Sequence, residues 1–349
     1  MRARFTLITG DARELASVAD NAAQLVVTSP PYPMIEMWDG LCAQLSPAAG
    51  AALAREDGPA AFQAVHQELD RVWAGCFRVL KPGGIAAINI GDATRTLAGE
   101  FALYSNHSRI LQAATALGFT VLPDILWRKP TNAPNKFMGS GMLPGGAYVT
   151  YEHEYILILR KGGKRAFTGQ EEKERRRQSA YFWEERNQWF SDLWVDLPGV
   201  GQGVQAARKR SAAFPFEVPW RLIQMYTAQG DAVLDPFLGT GTSMVAAMAS
   251  GRHSHGVEID PSLLPVVEEG LRDAVALGND RTDRRLVAHT AFVAERRAGL
   301  AHHNAHYDQP VMTAQEAELS FLRPLQVTSP AQGRYRVEYD RAVTRRILG

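Results

Sequence analysis

AVLDPFLGTGTSMVAAMAS, residues 232–250, decides how this chain is read. An apolar run ends at Asp235, Gly239 and Gly241 follow closely, and small and apolar residues then continue to Ser250 with neither proline nor glycine. The order predicts a strand, a tight turn and a helix. Glycines at such a turn let the backbone approach a ligand, and the helix start offers free N–H groups to its polar parts. Glu258 lies 23 positions after Asp235, at the end of the next apolar run, HSHGVEID. A carboxylate there can accept both hydroxyls of a ribose. The dinucleotide fingerprint GxGxxG is not met, because Met244 occupies its third glycine position. The pattern therefore suits a nucleoside cofactor other than NAD.

Outward from this stretch, apolar β-branched runs at 3–9, 24–28, 85–90, 119–129 and 153–161 read as strands. Helical spacing of Phe62, Val65, Leu69, Val72, Trp73, Cys76 and Leu80 predicts a helix that KPGG (81–84) stops, and further helices are expected near 106–117 and 217–228. Alternation of this kind predicts an α/β sheet. Past Lys161 the texture becomes charged and then aromatic up to about residue 212, as expected of an insert that splits the sheet. The organisation read from sequence is 1–161, insert 162–212, 213–275, and a C-terminal extension 276–349 of no assigned role. Within that extension, Thr313 and Glu316 fit a capping box opening a helix, and RYRVEYD reads as an edge strand.

The chain has 349 residues, 38 Lys and Arg against 37 Asp and Glu, and 46% hydrophobic residues, the composition of an ordinary globular protein. The N-terminus lacks the apolar core of a signal peptide and no run of about 18 apolar residues occurs, so a cytoplasmic, intracellular protein is expected. Cys42 and Cys76 lie far apart without CxxC spacing, which supports neither a disulfide framework nor a zinc ribbon. His253 with His255, and His302 with His303 and His306, form no matched ligand set and read as structural, so no metal is expected. Positive charge is concentrated between 160 and 210, with 12 basic residues against 7 acidic.

A second motif, Ser29-Pro30-Pro31-Tyr32, closes the strand at 24–28. An exocyclic amine on a nucleobase is a poor nucleophile because its lone pair is delocalised into the ring. Two acceptors that hold its hydrogens in a more tetrahedral arrangement favour the transition state for attack on an activated methyl. Ser29 Oγ and the Pro30 carbonyl can be that pair, since consecutive prolines lack N–H groups and keep the segment out of regular pairing. Tyr32 offers a flat face on which a base flipped out of a duplex can stack. Taken alone, SPPY also has a plainer reading, a Pro-rich turn closing a strand.

Together the two motifs resemble the S-adenosylmethionine-dependent amino-methyltransferases of DNA, over about residues 4–161 and 213–262. The resemblance implies that Ser29, Pro30 and Tyr32 bind and activate the target amine, with Pro31 as rigid support. It implies that Asp235, Phe237, Gly239, Thr240, Gly241 and Thr242 line the cofactor and that Glu258 holds its ribose. Asp11, after Gly10, matches the family's residue near the adenine, and Phe216 in FPFEVPWRLI matches the segment that closes over the cofactor. Catalytic motif before cofactor motif is the order of the β class. It implies a Rossmann-like methyltransferase fold with a circularly permuted, mostly parallel sheet and an inserted target-recognition region. Ser at the first catalytic position is the family's tendency for N4 of cytosine, with N6 of adenine as the alternative. An RNA or protein amide methyltransferase, or an inactive DNA-binding module, are the other readings. The expected partner is double-stranded DNA, and the class admits a homodimer and a cognate restriction endonuclease. Candidate DNA contacts are Lys129, Lys164, Arg165, Arg175, Arg176, Arg177, Arg208, Lys209 and Arg210. The segment Arg128-Lys129-Pro130-Thr131-Asn132, at a strand end on the expected catalytic edge, is a further candidate to approach the DNA or the flipped base.

Overall fold

A computed structural model describes residues 1–129, 138–139, 142–199, 214–296 and 298–341. The apolar runs form a ten-stranded sheet. In chain order its strands are β1 (Arg2–Thr9), β2 (Ala23–Thr28), β3 (Leu80–Ile90), β4 (Phe119–Arg128), β5 (His153–Lys161), β6 (Leu193–Trp194), β7 (Ala232–Asp235), β8 (His253–Glu258), β9 (Leu322–Ala331) and β10 (Arg334–Arg341). Their spatial order is β6-β4-β5-β3-β2-β7-β8-β1-β10-β9. The central run β3-β2-β7-β8-β1 is parallel throughout, and β5 and β10 are antiparallel to their inner neighbours β3 and β1.

Central strands are buried on both faces because helices cover both. Leu25, Val27, Ile85, Ala87, Ile156 and Ile158 point into one core, and Val26, Ala86, Ile88, Leu157 and Leu159 alternate into the other. Helices α1 (Gly58–Val79) and α2 (Asn106–Ala116) cover the second face through Leu69, Val72, Trp73, Cys76 and Ile110. Three later helices cover the first, through Val218, Ile223, Met244, Met248, Val267 and Leu271. The described part of the insert contributes α3 (Gln170–Gln178) and α4 (Trp183–Trp189), and the three helices are α5 (Glu217–Tyr226), α6 (Thr242–Ala249) and α7 (Leu264–Glu295).

Helix α1 ends at Val79, just before KPGG as expected, but the following strand starts at Leu80 rather than at 85, so KPGG lies inside β3. Other expectations change. RYRVEYD is not an edge, because β10 pairs with β1 on one side and β9 on the other. The Thr313–Glu316 capping box forms but opens only the short 3-10 turn Ala314–Glu316.

The described part of the insert is tied to the body. Trp189 and Trp194 are buried in the main core, and β6 adds to the sheet beside β4. Phe182 stacks on His289 at 3.8 Å and shares a separate small core with Leu286, Tyr307, Val311, Leu319 and Phe321. Glu185 pairs with Arg285 at 2.6 Å. The 163–199 stretch and the C-terminal extension thus pack against each other as well as against the body. Among the described residues no helix is long and apolar enough to cross a membrane.

Candidate functional site

Strands β2, β7 and β8 bring the two motifs to the same edge of the sheet, although about 200 residues separate them in sequence. In a parallel sheet the ends that follow consecutive strands converge where ligands bind. Thr28 closes β2, Asp235 closes β7 and Glu258 closes β8.

The cofactor loop is held from beneath by Asp235, which is only 2% exposed. Its Oδ1 accepts from Thr28 Oγ1 at 2.6 Å and from the Phe237 N–H at 3.0 Å, and its Oδ2 accepts from Ser243 Oγ at 2.5 Å. Burial pushes its pKa up to about 6, against these three donors. Asp235 therefore ties the strand that precedes Ser29 to the loop that follows Asp235 itself, and both its oxygens are engaged within the protein. Gly239 and Gly241 take φ of +55° and +84°, backbone that L side chains rarely adopt. A Cβ at Gly241 would lie 2.9 Å from Val267 Cγ1. Thr240 and Thr242 are half-buried beside them, Thr242 opening α6, and the Phe237 ring meets Trp73 edge-on at 6.1 Å.

Glu258 grips this loop: Oε2 accepts from the Gly239 N–H at 2.7 Å and Oε1 from the Asp260 N–H at 2.8 Å. Each oxygen keeps a further lone pair, and burial raises the carboxyl's pKa. The Gly10 N–H bonds the Glu258 carbonyl at 2.9 Å, which places Gly10-Asp11 beside the same corner. The Asp11 carboxylate is itself clamped by Arg13, at 2.5 to 3.0 Å, and this hydrogen bonding lowers its pKa. Phe216 precedes α5 with the Arg281 guanidinium 5.5 Å from its ring and packs against the core. The close backbone approach allowed by two left-handed glycines and the acceptor oxygens of a carboxylate at the end of β8 fit a methionine-bearing adenosine.

On the neighbouring strand ends, Ser29 is half-buried, Pro30 buried, Pro31 half-buried and Tyr32 7% exposed. A Cβ at Gly91 would come within 3.0 Å of Tyr32 Cε2, so that glycine makes room for the ring. Ser29 Oγ lies 3.1 Å from Tyr32 Oη, and Tyr32 Oη lies 2.9 Å from Glu154 Oε2. Asn89 Nδ2 donates to both Tyr32 Oη, at 2.8 Å, and Glu154 Oε2, at 2.7 Å. Lys129 Nζ bonds the other Glu154 oxygen at 2.6 Å. Burial, and then the charge of Glu154, raise the Tyr32 pKa, so the phenol stays protonated.

The sequence reading missed Asn89 and Glu154 and placed Lys129 on DNA, whereas here it pairs with Glu154. The signal was a polar residue at the end of each of two apolar strands, Asn89 near the close of β3 and Glu154 near the start of antiparallel β5. Of the other basic candidates, Arg165 pairs with Asp231 and lies 4.3 Å from the Phe167 ring. Arg176 lies over the same ring at 4.7 Å, Arg177 pairs with Glu318 at 2.9 Å, Arg175 sits in the last turn of α3, and Lys164 is exposed. Pro130, Thr131, Asn132, Arg208, Lys209 and Arg210 lie outside the described residues. Among the described residues no group of three or more His, Cys, Asp or Glu side chains is placed to hold a metal.

This arrangement has counterparts. The family described as DNA methylase, of the N6 and N4 type, matches residues 23–269. A Type II methyltransferase, M.MthZI of Methanothermobacter thermautotrophicus, is 47% identical over 327 residues, covering 93% of this chain and 92% of that protein. M.MjaI of Methanocaldococcus jannaschii, also named a Type II methyltransferase, is 48% identical over 274 residues, covering 75% of this chain and 89% of its own. Among solved structures, a putative DNA modification methylase of Thermus thermophilus complexed with S-adenosyl-L-methionine matches with a TM-score of 0.60 and 34% identity, over 77% of this chain and 95% of its own. The PvuII DNA methyltransferase, 18% identical with a TM-score of 0.55, shares the fold over 79% of this chain and 92% of its own. With both motifs converging on one sheet edge and relatives of this closeness along nearly its whole length, the chain belongs to the N6/N4 DNA methylases, enzymes that modify DNA with S-adenosylmethionine.

Proposed function

We propose that the protein methylates the exocyclic N4 of cytosine in a flipped-out base at a specific DNA site. The observation that carries this is a serine hydroxyl, Ser29 Oγ, rather than a carboxylate, at the catalytic corner beside the cofactor loop. Bound S-adenosylmethionine supplies a methyl group on a positively charged sulfur. Glu258 would hold the ribose, and the turn at Gly239 and Gly241 would accommodate the methionine portion, at the sheet edge that also carries Ser29. Ser29 Oγ and the Pro30 carbonyl accept the two amino hydrogens and turn the nitrogen lone pair toward the methyl. Tyr32, expected from sequence to stack on the base, is only 7% exposed with its ring in the core, so its part in this proposal is to hold Ser29 through its hydroxyl. Attack would form the N–C bond as the S–C bond breaks, leaving a neutral thioether, and the resulting cation would lose its extra proton to water.

Residues 162–212 serve target recognition in this proposal, with exposed basic side chains of the insert such as Lys164 available to phosphate. A cognate endonuclease is the partner the Type II names of the relatives support. Incubation with S-adenosylmethionine and mixed-sequence duplex DNA, followed by nucleoside mass spectrometry, tests the reading. N4-methylcytosine is expected. N6-methyladenine alone would move the target to adenine, and no modified base on any DNA would remove the activity.

A further inference from the structure

Serine at the catalytic corner raises a problem that a carboxylate does not. A carboxylate only accepts, whereas a hydroxyl has one hydrogen as well as two lone pairs. Turned toward the target, that hydrogen would bind the amine lone pair and block attack. Something has to point it away.

Hydrogen-bond accounting identifies the device. The Asn89 amide nitrogen can only donate, and it donates to both Tyr32 Oη and Glu154 Oε2. Turning that amide over would put its oxygen against the carboxylate, so this orientation holds although Asn89 Oδ1 meets no partner among the described residues. A carboxylate with Lys129 at 2.6 Å on its other oxygen can only accept. The single Tyr32 hydrogen therefore goes to Glu154. Tyr32 Oη is left with lone pairs alone on its remaining side, so at 3.1 Å the hydrogen between Ser29 and Tyr32 must be that of Ser29. The chain runs one way, Ser29 to Tyr32 to Glu154, and both lone pairs of Ser29 Oγ remain for the substrate.

We propose that Glu154 is a positioning residue for methyl transfer: through Tyr32 it fixes the direction of the Ser29 hydroxyl hydrogen and so makes Ser29 an acceptor for the target amine. The inference rests on the amino-methyltransferase reading with Ser29 in that role. It does not depend on which base is the target, since cytosine and adenine present the same kind of amine.

The test is kinetic, on the full chain with S-adenosylmethionine and duplex DNA, with products read as modified nucleosides. Glu154→Gln should lower kcat by about tenfold or more, the size of one charge-assisted hydrogen bond, while cofactor affinity stays within about twofold and the melting temperature is retained. The same change should cost less than about twofold in Tyr32→Phe, where the relay is already cut. It should also cost less than about twofold in Ser29→Asp, where there is no hydrogen to direct. Wild-type kcat in Glu154→Gln would overturn the proposal. So would a loss of turnover matched by lost cofactor affinity or stability, or an equal loss in every background that turns over. Wild type that methylates no DNA would instead refute the functional reading, and wild type that makes methyladenine would leave the role of Glu154 in place.

Discussion

Between Asp235 and Thr242 the chain takes its shape from backbone, whereas between Ser29 and Glu154 the site takes its shape from side chains. The first depends on two left-handed glycines and on N–H groups that a carboxylate holds. The second depends on a hydroxyl, a phenol, an amide, a carboxylate and an ammonium in sequence. A loop that must wrap a cofactor needs close backbone approach, which only glycine permits, while a site that must activate an amine needs polar atoms of fixed direction. Damage to the first should therefore appear in binding and damage to the second in turnover, with Asp235 as the point where they meet.

Ser29→Ala should break the chemistry alone. Loss of one preorganised acceptor costs about 3 to 4 kcal/mol of transition-state stabilisation, a fall in kcat of about 100-fold or more, with cofactor affinity unchanged by calorimetry. Intact turnover would refute the role given to Ser29.

Asp235→Asn should blur the division, because one carboxylate receives Thr28, Phe237 and Ser243. A side-chain amide turns hydrogens toward one of those donors, and about 1 to 3 kcal/mol of stability should be lost along with both affinity and turnover. The loss should depend on pH. The folded carboxyl titrates near 6 and an unfolded one near 3.8, so in that window the folded state holds the extra proton and this group makes stability fall as pH rises. Thermal melts from pH 4 to pH 7 should show the gap between wild type and the variant narrowing as pH rises; a widening gap would refute the assignment.

Gly241→Ala should give the smallest effect, confined to binding. A left-handed alanine costs about 1 to 2 kcal/mol, and the added methyl also meets Val267, so affinity for S-adenosylmethionine should fall roughly tenfold while kcat at saturation holds. A drop in kcat with normal affinity would show that the two loops are not separable in this way.

Much of this site could be read from the residues because each motif is local. Ser29 to Tyr32 and Asp235 to Thr242 each span one strand end, and a short stretch of sequence carries the turn chemistry that defines them. Glu154 could not be read so, because what makes it part of the site is its register in antiparallel β5, with Tyr155 opposite Ile90 and Glu154 opposite Trp127. The central sheet was legible from apolar runs buried on both faces. Helix α7 was not, because its buried stripe of Val267, Leu271, Ala274, Gly278, Thr282, Leu286 and His289 includes glycine, threonine and histidine, which blur an amphipathic pattern. Gly278 lies close against Ala249 and Pro324, so the stripe selects small residues where another element approaches. Strand β9 was hidden by Pro324 and Pro330, which an edge strand tolerates.

The order of strands also fixes how the molecule can be assembled. β2 and β3 are adjacent in space and early in the chain, yet the neighbour that completes β2 is β7, and β1 finds its partners only in β8 and β10. As the polypeptide leaves the ribosome, the first 161 residues therefore carry an unsatisfied ladder on β2 and an isolated β1 until residues 232–258 arrive to fill the middle. Contacts so distant in sequence slow the search for the native state, and open strand edges invite pairing with other chains during the delay. A fragment ending at Lys161 is thus a sheet missing its centre.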